Sequence, residues 1–180
     1  MKCLTNQTLI GIKSDCNPCL AGIQECFIGY YGDFSVSADT SAHTISGIEA
    51  ATGASTGKLY KYEFAKQTGS LTSTLTKDEA NGTRYFTNEV VLSFTKLEAA
   101  KHLEFQALSA EKLVAIIKDN NGKYWFVGFD GYLSAINGTA GTGTSYDDKN
   151  GYDWTADQMS AYLPFEIQYS AFSSLIDTAE

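Results

Sequence analysis

Clustered positive charge is what this sequence most conspicuously lacks. Lys and Arg together number 13 against 21 Asp and Glu, a formal net charge of −8, and nowhere do the basic residues gather into a run. Nonspecific nucleic-acid binding rests on such a basic footprint, so the chain is not read as a duplex-binding protein. A negative surface instead keeps nucleic acid from sticking, which matters where DNA must slide past. Long apolar runs are missing too. No stretch of 18 apolar residues occurs, and the opening MKCLTNQTLIGIKSDC has no continuous apolar segment. Neither a membrane span nor a cleaved secretion signal is expected, and the Asn-X-Thr triplets at Asn6, Asn81 and Asn137 are read as turn and loop residues. Histidine is scarce: His43 and His102 lie far apart, with no Ser-Asp or metal-ligating pattern beside either. Histidine-centred acid–base chemistry is therefore not indicated, and no enzyme is read here. Proline is limited to two residues, and with 16 glycines and abundant Thr and Tyr this favours β structure with glycine turns over a helical bundle.

What is present is ample material for a core. Hydrophobic residues make up 43% of the 180 and aromatics 13%, which argues against disorder and for one well-packed domain. Residues 22–31 read as a strand with imperfect alternation, and 58–66 alternate clearly, with Tyr60, Tyr62 and Phe64 on one side. The stretches 71–76 and 84–94 form a long hairpin. The period then switches, and 97–110 carries a helical stripe of Ala99, Ala100, Leu103, Ala107 and Leu108, placed to cover an open end or face of the sheet. Residues 113–118 are apolar on both parities, as in a strand covered on both sides. Asn120–Gly122 turns the chain, and 123–129 pairs back, with Tyr124 and Phe126 opposite Trp125 and Val127. One face of this hairpin is assigned to the core and the other to the helix or a neighbouring subunit. A glycine- and threonine-rich, floppy loop follows, and a last strand is placed within 161–169. The chain thus divides into an irregular segment 1–21, a single β-rich domain 22–170 with an arm or long loop at 32–57, and a C-terminal tail 171–180.

Four motifs could carry chemistry. Cys16-Asn-Pro-Cys19 is flanked by Cys3 and Cys26, and four thiolates would complete a tetrahedral zinc site. Structural sites of that type bring two close-spaced pairs, whereas the outer cysteines here are isolated, so free thiols are the reading and no metal or cofactor is assigned. The run Gly138-Thr-Ala-Gly141-Thr-Gly143 lacks the Gly-Lys-Ser/Thr ending of a phosphate loop. Asp147, Asp148 and Asn150 do not follow EF-hand spacing. Tyr30, Tyr31, Trp125 and Trp154 could stack on sugars or bases, although strand aromatics more often serve cores and interfaces.

The pattern LVAIIKDNNGKYWFVGFD over 113–130, the Gly/Thr loop, Asp148-Lys-Asn-Gly-Tyr152, Cys16-Asn-Pro-Cys19-Leu-Ala-Gly-Ile23 and FTNEVVLSF over 86–94 together resemble tail-tube or neck-ring proteins of tailed bacteriophages of gut Bacteroidetes. That resemblance is diffuse over about 16–169 and contains no catalytic signature. It implies a mainly β, tail-tube-like β-barrel or β-sandwich with one flanking α-helix and long loops or arms. It further implies a structural virion protein, assembled in the host cytoplasm into six-fold or twelve-fold rings that contact adjacent tail or neck rings and conduct DNA during ejection. The cysteine-rich start departs from a generic tube subunit and leaves the place in the particle open. Candidate oligomer contacts are His43, Ile45 and Ile48 in the 32–57 segment, Tyr124 and Phe126 on the double-faced hairpin, and Thr139, Thr142, Thr144 and Tyr146 in the Gly/Thr loop. The alternative is a small β-sandwich surface-binding module, recognising glycan, with no catalytic activity.

Overall fold

The computed structural model describes residues 11–13 and 18–177. It is mainly β, with one α-helix and two sheets. The strands are β1 (Ile23–Tyr30), β2 (Phe34–Asp39), β3 (Thr44–Ala50), β4 (Tyr60–Tyr62), β5 (Ser70–Asp78), β6 (Thr83–Thr95), β7 (Leu113–Asp119), β8 (Tyr124–Val127), β9 (Ser134–Gly141), β10 (Gly151–Ser160) and β11 (Phe165–Ile167), and the helix α1 is Ala99–Ala110. One sheet has the order β2-β3-β11-β8-β7-β1-β4 and the other β5-β6-β10-β9. Neither closes on itself, so of the two expected architectures the open sandwich is the one present.

Strand β7 explains the layering. Leu113, Ala115 and Ile117 point into a core shared with Val90 and Leu92 of β6 and Trp154 and Ala156 of β10, which glues the two sheets together. Val114 and Ile116, of the other parity, enter a second core with Phe27, Ile45, Ile48, Phe126, Phe165 and Phe172 on the far face of the larger sheet. Each fully buried Val, Leu, Ile or Phe of these cores stabilises by about 1.5–3 kcal/mol before ordering costs. The double-faced hairpin thus spends both faces inside its own chain, where a neighbouring subunit had been allowed for one of them.

Three further expectations change. The segment 32–57 is not a free arm: it folds as the β2–β3 hairpin, and β3 joins β11 in parallel. The loop after it is held by Asp33, a residue 6% exposed whose carboxylate accepts N–H donors from Ser55 (2.8 Å), Thr56 (2.8 Å) and Gly57 (3.0 Å). The Gly/Thr loop is shorter than expected, because its first residues form β9 and its last residue opens β10; a Cβ on Gly151 would strike the Phe94 carbonyl. The C-terminal tail is anchored, with Phe172 fully buried and Leu59 bridged to Ile176. Helix α1 forms where expected, but the stripe read for it does not face the core: Ala99, Ala100 and Leu103 are exposed, Leu103 to 70%, and the helix packs through Leu108 and Phe105 instead. Leu108 is its buried residue, and its Phe105 ring packs on β9 at Gly138, where a Cβ would come within 2.8 Å of the ring.

Candidate functional site

The smaller sheet has one face against the core and one face open. Its pairings β5–β6, β6–β10 and β10–β9 are all antiparallel, so β5 and β9, the two edges, run in opposite directions. Register sets out the open face row by row: Ser70, Val91, Thr155 and Asn137; then Thr72, Glu89, Asp157 and Ser134; then Thr74, Thr87 and Met159. Hydroxyl-bearing residues dominate these rows, no lysine or arginine stands in them, and Glu89 sits directly opposite Asp157. Like charges placed this way oppose pairing, so the sheet tolerates a local cost on this face.

Along both edges charge and proline are sparse, although α1 packs beside β9 through Phe105. Strand β9, SAINGTAG, has no charged residue and no proline, only a bulge at Ile136. Strand β5 has no charge before Lys77. Edge strands usually carry Lys, Pro or a covering element that prevents pairing with another chain.

Where the strands β9 and β10 are joined, the connection 142–150 is ordered by its own polar groups. The Asp148 carboxylate accepts N–H donors from Thr144 (2.7 Å) and Ser145 (2.8 Å), which hold it below the usual carboxylate range. Lys149 donates to the Tyr152 carbonyl (2.8 Å), to the Asp153 carboxylate and to the Ser93 hydroxyl, and Ser93 donates to Asp153 (2.8 Å). The Lys149 hydrogen bond is the first cause lowering Asp153. Ser, Lys and Asp in contact look like nucleophile machinery, but the lysine is ion-paired to Asp153 and donates to Ser93 rather than withdrawing its proton. The cluster works as a clip fastening the loop to β6.

A second feature is an aromatic cleft of about 340 Å³ between β4 and α1, lined by Tyr60, Tyr62, Phe94, Phe105 and Tyr152 with Glu104 at its wall. An adjoining space of about 260 Å³ shares Tyr60, Tyr62 and Glu104 and extends to Tyr30. Tyr62 donates its O–H to Glu104, and burial, then that hydrogen bond, pushes its phenol well above the ordinary value. The alternation of Tyr60 and Tyr62 was visible in the sequence, but nothing local paired them with a helix some forty residues further on.

The candidate contact residues scatter. Ile45, Ile48 and Phe126 are buried in the second core, which corrects them from contact to core positions. His43 stacks on Phe165 at 4.2 Å and its Nε2 lies 3.0 Å from the Leu163 carbonyl, at a left-handed φ of 59°. Tyr124 is half-buried against Phe172. Thr139, Thr142, Thr144 and Tyr146 are exposed. Of the cysteines, Cys3 and Cys16 lie outside the described residues, Cys19 is exposed, and Cys26 is fully buried in the intersheet core, where desolvation pushes its thiol up to about 12. Among the described residues no three His, Cys, Asp or Glu side chains come together to hold a metal, and no helix is long and apolar enough to cross a membrane. No protein-family model and no curated protein matches the chain.

Proposed function

We propose that this chain is a structural virion protein of a tailed phage, forming oligomeric rings of the tail tube or neck through which DNA passes, with no chemistry of its own. One observation carries the reading: the smaller sheet ends on two edges that run in opposite directions, β9 without charge and β5 without charge before Lys77. Rotating a copy about an axis roughly parallel to the strands sets β9 of one beside β5 of the next in antiparallel register, so the sheet continues from copy to copy until the ring closes. Four strands from each of six copies exceed the roughly 16–18 at which a barrel encloses an aqueous channel. The open face, hydroxyl-rich and bearing Glu89 beside Asp157, would line that channel and repel the phosphate backbone. The resemblance to tail-tube and neck-ring proteins supports the same role, with adjacent tail or neck rings as partners and the virion as the place of action.

Native mass spectrometry with negative-stain imaging tests this. Rings of defined copy number are the expected result; a chain that stays monomeric with and without its tail or neck partners would sink the proposal. The aromatic cleft favours one other reading, a surface module that grips a glycan between Tyr60, Tyr62 and Tyr152. Saturable glycan binding by a monomer, lost in Tyr60→Ala, would select that reading instead.

A further inference from the structure

The smaller sheet has two unlike poles along its strand direction. At one, β5 and β6 overhang their neighbours: β10 ends at Ser160, paired with Phe86, while β5 and β6 stay paired out to Asp78 and Thr83. The core-side parity carries Leu75, which is 51% exposed, and Phe86 in the last row that β10 reaches, followed in the overhang by Lys77 and Arg84. Arg84 is the one arginine of the chain. Its guanidinium lies 5.8 Å from the centre of the Phe86 ring, and among the described residues it has no carboxylate partner, whereas Lys77 pairs with Glu79. At the opposite pole lies the 142–150 loop. Asp148 and Lys149 there are committed to internal bonds. That leaves Tyr146, fully exposed, and Asp147, exposed and with no cationic partner among the described residues.

We propose that the two poles bind each other: the overhanging β5–β6 hairpin of one copy seats on the 142–150 loop of the next copy along the strand axis, with Arg84 paired to Asp147 and Tyr146 packed over Leu75 and Phe86. The occupant is a second copy because both halves of the complementary surface belong to this chain. The unpaired cation with its apolar neighbours faces one way, and the unpaired carboxylate with a bare aromatic ring faces the other. Arginine and tyrosine are the residues that most often anchor interfaces, and arginine's planar fork suits both a carboxylate and an aromatic face. Two different patches at opposite ends make a heterologous contact, which propagates instead of closing as a dimer. The place of this contact, between stacked rings, rests on the ring proposal; the contact itself requires only two copies.

Charge reversal in the full chain tests it, with Arg84→Glu, Asp147→Arg and the double variant followed by sedimentation velocity and negative-stain imaging. Both positions are exposed, and unchanged melting temperatures will confirm that the variants fold. Each single reversal should weaken end-to-end association roughly a hundred-fold, leaving unstacked rings, and the double variant should recover most of the loss. Stacks that persist in Arg84→Glu, or a double variant no better than either single one, would overturn the pairing while leaving rings intact. Linear chains without rings, sensitive to the same reversals, would uphold the pairing and sink the ring proposal. A wild-type chain that forms neither rings nor chains, alone or with its partner rings, would end both.

Discussion

Asp33 concentrates more structural consequence than any other ionisable side chain described. Burial works against its charge, but the backbone N–H groups of Thr56, Ser55 and Gly57 and the Thr56 hydroxyl outweigh it and hold the carboxyl below its ordinary range. Replacing it with alanine orphans three backbone donors at once, and the expected cost is about 2–4 kcal/mol, read as a lower urea midpoint at unchanged m-value. A depressed folded-state value means that the stability Asp33 supplies is fully present above its unfolded value of about 3.9 and is lost as the pH falls through the folded value. In Asp33→Asn that part of the acid-side slope should vanish; an identical slope would mean that the carboxylate is not what holds the loop. Cys26 gives a second prediction at this scale. Its buried thiol, with its value pushed up to about 12, should resist iodoacetamide in the native protein and react only on unfolding, while exposed Cys19 labels at once. Peptide mapping would show this, and rapid native labelling of Cys26 would contradict its place in the core. Four cysteines in the sequence suggested a shared site only as a formal possibility. Spacing could not reveal that one of them points between two sheets.

At the scale of elements, what was legible depended on whether a strand keeps its parity. Strand β7 shows both apolar faces in five consecutive letters, and the structure buries both. Strand β3 hides its pattern: Ile45 and Ile48 are three apart, which fits no strand, until the bulge at Ser46 puts both on one face. The segment therefore read as an arm. Bulges in β1 and β9 blur alternation in the same way. Strand β10 went unseen because its buried parity ends in polar residues. Gln158 lies in the core and spends its amide on Asp130, the Gly131 carbonyl and the Gly128 N–H, bonds that no local pattern announces. Helix α1 was legible from its run of helix formers but not in its packed face, since Leu103 of the expected stripe is exposed while Phe105, outside it, packs inward; its ends are also poorly finished. Glu98 occupies the N-cap in extended geometry without a side-chain cap bond, the first turn has no acidic residue and the last no basic one. Glu98→Ser should supply the missing cap and stabilise the protein by about 0.5–1 kcal/mol. The exposed Glu98 pairs with Lys96 and Lys101 that it gives up are worth little in water. Thermal unfolding would decide: a drop in melting temperature would mean that those ion pairs, not the cap, hold the helix start.

For the whole molecule, the open face of the smaller sheet links local energetics to the proposed assembly. Glu89 and Asp157 face each other across β6 and β10 with no lysine or arginine in the neighbouring rows. In the isolated chain this is a cost, and Glu89→Gln should raise stability by about 0.2–1 kcal/mol in urea titration. If the same face lines a ring channel, the negative pair has a use that the monomer does not reveal: it keeps a polyanion moving. Glu89→Lys with Asp157→Lys converts the face to a cationic track while leaving the edges β5 and β9 untouched. Assembled rings of that double variant should retain duplex DNA at low ionic strength and release it as salt rises, with a slope that counts the phosphates neutralised, whereas wild-type rings should not hold DNA at all. Rings of both forms that ignore DNA equally would place the face on the outside of the ring, away from any channel. Tight retention by the wild type would mean that a different, positive surface lines the passage. The experiment thus reads the orientation of the sheet within the ring from a single pair of carboxylates.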